Sequence, residues 1–270
     1  MKAQLKGKTA SRSETLPLSR VRRNVGGGIA QILLSNPPLN VIDIPMMDEL
    51  AALLAEIEAR PDVVAISISG DGKCFSAGVD VAAHTPALVG AMLGKFHGVI
   101  RSLMASKKVT IAVVHGHCLG GGAELAMVCD IVYTSRLATW GFPEIKLGCY
   151  PPIACAALSA LVGQKRASEL ILTGRSFTGR EAAAIGLATR AVLESDLSDE
   201  LSECCAALTS MSPAALSLTK KAIYSWDAMH FDKGLARAEK VYFEELMKTA
   251  DANEGIQAFM EKRSPVWTGK

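Results

Sequence analysis

The chain has 270 residues, 49% of them hydrophobic and 21% charged, proportions that exclude a disordered chain, a collagen-like repeat and a disulfide-stapled miniprotein. That length fits one large domain or two small ones, and either can bury a core. Twenty-nine Lys and Arg against 27 Asp and Glu leave a net charge of +2, too weak a field to gather a polyanion, so nucleic acid is not the expected partner.

The charge is uneven. Residues 1–24 hold seven Lys or Arg and one Glu, a net of +6 that leaves −4 for the rest of the chain. With only Leu5, Leu16 and Leu18 as large apolar residues before Val21, this segment forms no amphipathic face, and residues 1–20 are read as a basic flexible tail. The α/β core is expected over residues 21–212 and a helical C-terminal section over 213–270. Seven cysteines without a C-x-x-C pair frame neither a disulfide set nor a zinc knuckle, so the protein is read as reduced and cytoplasmic. Gly148, Pro151 and Pro152 interrupt the longest uncharged run, Leu147 to Gln164, and no membrane span is expected.

After the tail, Val21 to Arg23 and Ile29 to Leu34 flank Gly26, Gly27 and Gly28, which predicts a hairpin. Pro45 suits a first helical turn, and Met47, Leu50, Leu53, Leu54 and Ile57 recur at helical spacing up to Pro61. Val63 to Ser69 and Val109 to Val114 read as buried strands, separated by the helical stripe Leu88, Met92, Phe96, Val99, Ile100, Leu103 and Met104. Strand, helix, strand in that order predicts an α/β fold with parallel strands. From Pro213 onward the pattern is helical only.

Two turns carry the candidate chemistry. In Val113 to Asp130 a buried strand runs into Gly120, Gly121 and Gly122 and then into a helix bearing Glu124. Unpaired N–H groups at such a helix start suit an anion or oxyanion, and close helix–strand packing is the alternative reading of the same glycines. The turn Cys74 to Asp80 has the same grammar, so each turn could offer one backbone N–H to a single oxygen. Glu124 and Glu144 then add two carboxylates, one to accept a proton and one to donate it, which is equipment for adding water across a polarised double bond. A glutamate standing alone would read as a surface charge.

Ser76-Ala77-Gly78-Val79-Asp80, Leu119 to Ala126, Pro143 to Gly148 and Glu254 to Arg263 together resemble the enoyl-CoA hydratase/isomerase (crotonase) superfamily over about residues 21 to 267. The resemblance implies a spiral of ββα units with a helical C-terminal section that builds homotrimers, often paired into hexamers. It implies an oxyanion hole made by the N–H groups of Ala77 and Gly121, with Glu124 and Glu144 at the two catalytic glutamate positions. It implies an acyl-CoA substrate that carries its own coenzyme A, with no separate cofactor and no metal. CoA contacts are expected from Pro38, Leu39, Ser76, Asp80, Phe259 and Lys262, although Asp80 also reads as a helix cap.

Where hydratases of linear acyl chains usually have I-P-G-x-G-G-T, this chain has Cys149-Tyr150-Pro151-Pro152-Ile153-Ala154. That departure is similar to cyclohexa-1,5-diene-1-carbonyl-CoA hydratases of aromatic degradation. Trp140, Phe142, Tyr150, Pro151 and Pro152 are accordingly expected around the acyl group, with His117 packed or lining the pocket. His115 and His117 have no third ligand spaced nearby, so a metal is not expected. General short-chain 2-enoyl-CoA hydration and double-bond isomerisation remain alternatives, as does an RNA-binding relative, which the tail's lack of aromatic interleaving disfavours.

Overall fold

A computed structural model describes residues 19–224 and 227–267 of the chain. The hairpin forms as expected, with β1 (Val21–Gly26) antiparallel to β2 (Ile29–Leu34). Residues 1–18 of the basic tail lie outside the described residues, while Ser19 and Arg20 are bound to the core. There the buried Glu49 carboxylate accepts the backbone N–H groups of Ser19, Arg20 and Val21 at 2.8 to 3.1 Å. Glu49 belongs to α1 (Ile44–Glu58), which starts where Asp43 accepts the Met46 N–H and Pro45 occupies the first turn.

Next come β3 (Ala65–Gly70), α2 (Val89–Ala105) and β4 (Val109–Val114). No side chain caps the start of α2 at Leu88, a loss of about 1 kcal/mol. Burial more than offsets it, since Met92, Phe96, Val99, Ile100 and Leu103 are all sealed from solvent and each stabilises the fold by roughly 1.5–3 kcal/mol.

The remaining core repeats one unit. After β4 the chain makes the short strand β5 (His117–Leu119) and the helix α3 (Gly121–Met127). It then makes β6 (Ile131–Ser135), the short strand β7 (Thr139–Gly141) and, after a 3-10 turn at Pro143–Leu147, α4 (Pro152–Val162). α5 (Gln164–Thr173), β8 (Ser176–Thr178), α6 (Gly179–Ala184), β9 (Arg190–Val192) and α7 (Leu197–Thr209) complete it. Six strands build one sheet in the order β1-β2-β3-β4-β6-β9, parallel from β2 onward, and the short strands β5, β7 and β8 build a second. The units β4-β5-α3 and β6-β7-α4 each place the longer strand in the first sheet and the shorter one in the second, the ββα pattern that the resemblance implied.

The C-terminal section is helical: α8 (Pro213–Tyr224), α9 (Asp227–Glu244) and α10 (Ala250–Met260). Lys220 of α8 reaches a buried site where its Nζ donates to the Lys108 carbonyl at 2.9 Å and pairs with Asp130 at 2.7 Å. No helix among the described residues is long and apolar enough to cross a membrane. Since Asp130 is nearly enclosed and would lose its counter-charge, Lys220→Met should lower the unfolding free energy by about 3 kcal/mol in urea titrations. An unchanged midpoint would show that α8 is held by apolar contacts alone.

Candidate active site

The second sheet brings the two glutamates together. β5 and β7 are parallel neighbours, with Leu119 opposite Gly141, and the chain leaves their carboxyl ends toward Glu124 and Glu144 respectively. The Gly120 N–H donates to the Gly141 carbonyl at 2.9 Å, tying the two exits to each other. Gly120 has φ +50° and ψ −127°, a conformation that needs glycine, and a Cβ there would lie 2.6 Å from Glu144 Oε1. A Cβ at Gly121 would stand 2.5 Å from Val79, and one at Gly122 would stand 2.8 Å from Ser76. Both readings of the triple glycine therefore hold: it packs against the Ser76 to Val79 turn and it frees a helix start.

Glu124 is buried, and its Oε1 accepts the N–H groups of Ile153 and Ala154, both at 2.9 Å. These are the free donors in the first turn of α4, whose opening residues Pro151 and Pro152 have no N–H to give. Among the described residues no hydrogen bond falls on Oε2 of Glu124. Burial pushes the Glu124 carboxyl up to about 7, against the pull of the two N–H donors. Glu144 follows Pro143 in the 3-10 turn, and its enclosed Oε2 has no hydrogen-bond partner among the described residues. Burial pushes it up to about 8, helped by repulsion from Glu124. Repulsion between two carboxylates in one site favours a proton on one of them.

Both carboxylates line a cavity of about 410 Å³, together with Val79, Gly121, His84, Met92, Phe96, Tyr150, Pro151, Pro152, Tyr242 and Phe259. The first turn presents its donors differently from the expectation. Ala77 N–H is spent on the Leu39 carbonyl at 2.9 Å, Gly78 N–H on Ser76 Oγ and Asp80 N–H on the Ile42 carbonyl. Val79 pairs with Ile42 in a parallel bridge that uses the flanking residues' groups, so the Val79 N–H stays free. Gly121 N–H, at the start of α3, is free as well. Val79 and Gly121, both on the cavity wall, thus carry N–H groups without an acceptor among the described residues, and Val79 takes the place expected of Ala77.

Three further expectations, those for Trp140, Phe142 and His117, are corrected. Trp140 is wholly buried, facing Cys118 across β5 and β7 and donating Nε1–H to Thr134 Oγ1 at 3.0 Å, and Phe142 packs with Phe177 in the same core. Neither reaches the cavity. His117 is exposed because strand alternation sends Cys118 inward and its neighbours outward. Among the CoA candidates, Phe259 lines the cavity; Ser76 is buried inside its turn, donating to the Asn40 carbonyl, and Asp80 caps the next turn at the Ala82 N–H. Pro38, Leu39 and Lys262 stand outside the cavity wall.

Comparison with known proteins agrees with this architecture. A family model described as enoyl-CoA hydratase/isomerase matches residues 24–270. The chain belongs to the enoyl-CoA hydratase/isomerase family. It is 34% identical over 258 residues to a protein named probable enoyl-CoA hydratase of Mycobacterium bovis, covering 94% of this chain and 98% of that one. It is 32% identical over 250 residues to the cyclohexa-1,5-dienecarbonyl-CoA hydratase of Thauera aromatica, covering 90% and 94%. The crystal structure of an enoyl-CoA hydratase from Mycobacterium avium subsp. paratuberculosis superposes with a TM-score of 0.85 at 27% identity, over 93% of this chain and 100% of that one.

The raised carboxyls set a pH dependence of stability. In the folded state Glu144 keeps its proton up to about pH 8, while in the unfolded chain it releases it near its ordinary 4.5. The native state binds more protons across that interval, so stability falls as pH rises through it. Glu144→Gln cannot ionise and should melt at a higher temperature than the parent above about pH 8 but not at about pH 4. Scanning calorimetry at both values checks this, and equal differences at the two would contradict a raised Glu144.

Proposed function

We propose that the chain is a hydro-lyase that adds water across the double bond conjugated to the thioester of an enoyl-CoA. The observation that carries the reading is the pair of cavity carboxylates in unlike settings beside two unspent N–H groups. Glu124, braced at Oε1 by two N–H donors, is the better-stabilised anion and serves as base through Oε2. Glu144, with no donor on Oε2, is the member that keeps the shared proton and serves as acid.

In the reaction, the water oxygen bonds to the β-carbon as its proton passes to Glu124. The π electrons shift toward the thioester oxygen, whose growing negative charge is met by the Val79 and Gly121 N–H groups. The proton of Glu144 closes the new bond at the α-carbon, the carbonyl re-forms, and the product is a 3-hydroxyacyl thioester. Return of the proton from Glu124 to Glu144 resets the pair. Isomerisation would need one base only, so two carboxylates in one cavity favour hydration.

For the acyl group the finer reading is a cyclic conjugated dienoyl-CoA. Tyr150, Pro151 and Pro152 line the cavity, and flat rigid walls favour a ring that loses few rotors on binding. The similarity to the Thauera aromatica enzyme supports it. Short linear enoyl-CoAs are the second reading, favoured by the similarity to the Mycobacterium bovis protein and by the burial of Trp140 and Phe142 away from the acyl group.

Glu124→Gln retains an oxygen for the two N–H donors but cannot accept a proton, and Glu144→Gln cannot give one. Each should cut turnover by about 10² or more while CoA-ester binding is nearly kept. Wild-type turnover in either variant would exclude the two-carboxylate mechanism. With wild-type enzyme, kcat/KM for cyclohexadienoyl-CoA should exceed that for crotonyl-CoA. Efficient crotonyl-CoA hydration with no turnover of the ring substrate would assign the enzyme to linear chains.

A further inference from the structure

The acyl end of the cavity contains a residue that the proposed chemistry does not use, and the role inferred for it rests on the hydratase reading. The wall changes character along its length: Lys146 and Phe259 are exposed, whereas Met92, Phe96 and Tyr242 are buried. The exposed side chains mark the mouth through which a CoA thioester enters, and the buried ones mark the closed end.

Tyr242 comes from α9, and its ring is held on several sides. It meets Tyr150 edge-on, with ring centroids 5.2 Å apart and 74° between the planes. Its hydroxyl lies beside the Cys149 thiol, five residues past Glu144. α9 itself is fastened to both flanks of the cavity. On one flank the Tyr150 hydroxyl donates to the Ala238 carbonyl. On the other, Glu239 accepts from Nδ1 of the fully buried His97 on α2 and also from Arg101 at 3.4 Å. Ala238 and Glu239 stand four and three residues before Tyr242, so the three share one side of the helix. The bonds at 238 and 239 therefore fix where the ring at 242 stands.

A side chain held in this way cannot swing aside for a longer substrate. Moving it would break the edge-on contact with Tyr150, and its helix cannot slide without losing the Ala238 and Glu239 bonds. We propose that Tyr242 determines acyl-length specificity: it ends the cavity beyond the two glutamates and restricts the substrate to short or ring-shaped acyl groups. His97, Glu239 and Tyr150 act through it as positioning residues. At about 410 Å³ the cavity is at the small end of ligand sites, in keeping with a fixed stop.

The test compares wild type with Tyr242→Phe, Tyr242→Leu and Tyr242→Ala on trans-2-enoyl-CoAs from crotonyl- to dodecenoyl-CoA. Leu and Ala should raise kcat/KM for decenoyl-CoA relative to crotonyl-CoA by about tenfold or more, the scale on which an apolar pocket discriminates small changes of volume. Phe, which keeps the ring, should keep the wild-type ranking by chain length. An unchanged ranking in folded Leu and Ala variants overturns the proposal, as does a Phe variant that behaves like Ala. Should the smaller variants fail to fold, calorimetric binding of saturated acyl-CoAs to the wild type decides: affinity that breaks at an intermediate length supports the stop, and affinity that climbs unbroken from butyryl- to dodecanoyl-CoA overturns it. Wild-type enzyme that hydrates neither these enoyl-CoAs nor cyclohexadienoyl-CoA defeats the hydratase reading instead, and the binding series still reports on the stop.

Discussion

The grip of the α4 N-terminus on the Glu124 carboxylate is the interaction on which the site depends. A carboxylate taken out of water costs several kcal/mol unless it is met by donors, and here the donors are backbone groups that would themselves be unpaired at a helix start. Pro151 and Pro152 reduce the number of orphan N–H groups in that turn, and Glu124 takes the two at Ile153 and Ala154. One contact thus satisfies the end of α4, docks α3 against it and aims the remaining oxygen of Glu124 at the cavity. Glu144 has no such support, and the difference between the two glutamates is a difference in backbone, since the side chains are chemically identical.

Glycine makes this arrangement sterically possible. Side chains at residues 120, 121 and 122 would strike Glu144, Val79 and Ser76 respectively. The triple glycine is therefore the place where the Glu144 turn, the Val79 turn and α3 come within contact of one another. A free N–H at Gly121 and a free N–H at Val79 can serve one oxygen because no Cβ separates the segments that carry them.

Much of this is legible in the sequence, and what is not has a common cause. The hairpin, β4 and the helical stripe of α2 follow from local pattern, and the two glutamates follow from glycine turns at strand ends. The choice between Ala77 and Val79 does not, because it is decided by Leu39 and Ile42, which lie nearly forty residues upstream and consume the neighbouring N–H groups. Alternation along the turn, once anchored on the Ile42 bridge, is the signal that points to Val79. Trp140 and Phe142 depart from expectation because nearness to Glu144 in sequence says nothing of facing: β7 turns the indole toward Thr134 and Cys118. Tyr242 gives no sequence signal at all, since α9 supplies it from almost a hundred residues beyond Glu144.

The contrast between those departures separates two kinds of information in the chain. Proton transfer is encoded locally, by a carboxylate a fixed number of residues after a strand, because the strand end and the following turn are enough to set its position. Substrate shape is encoded at long range, because a cavity wall has to be closed by elements that arrive from elsewhere. Here α2 contributes Met92 and Phe96, the turn before α4 contributes Tyr150, and α9 contributes Tyr242, with His97–Glu239 and Tyr150–Ala238 as the bonds joining the three. A family built on this fold can hold its glutamates and glycine turns fixed while the helices around the acyl end are repacked, so two members with the same chemistry can take acyl groups of different shape. That is why a third of identical residues is enough to carry the reaction from one relative to another and is not enough to carry the substrate.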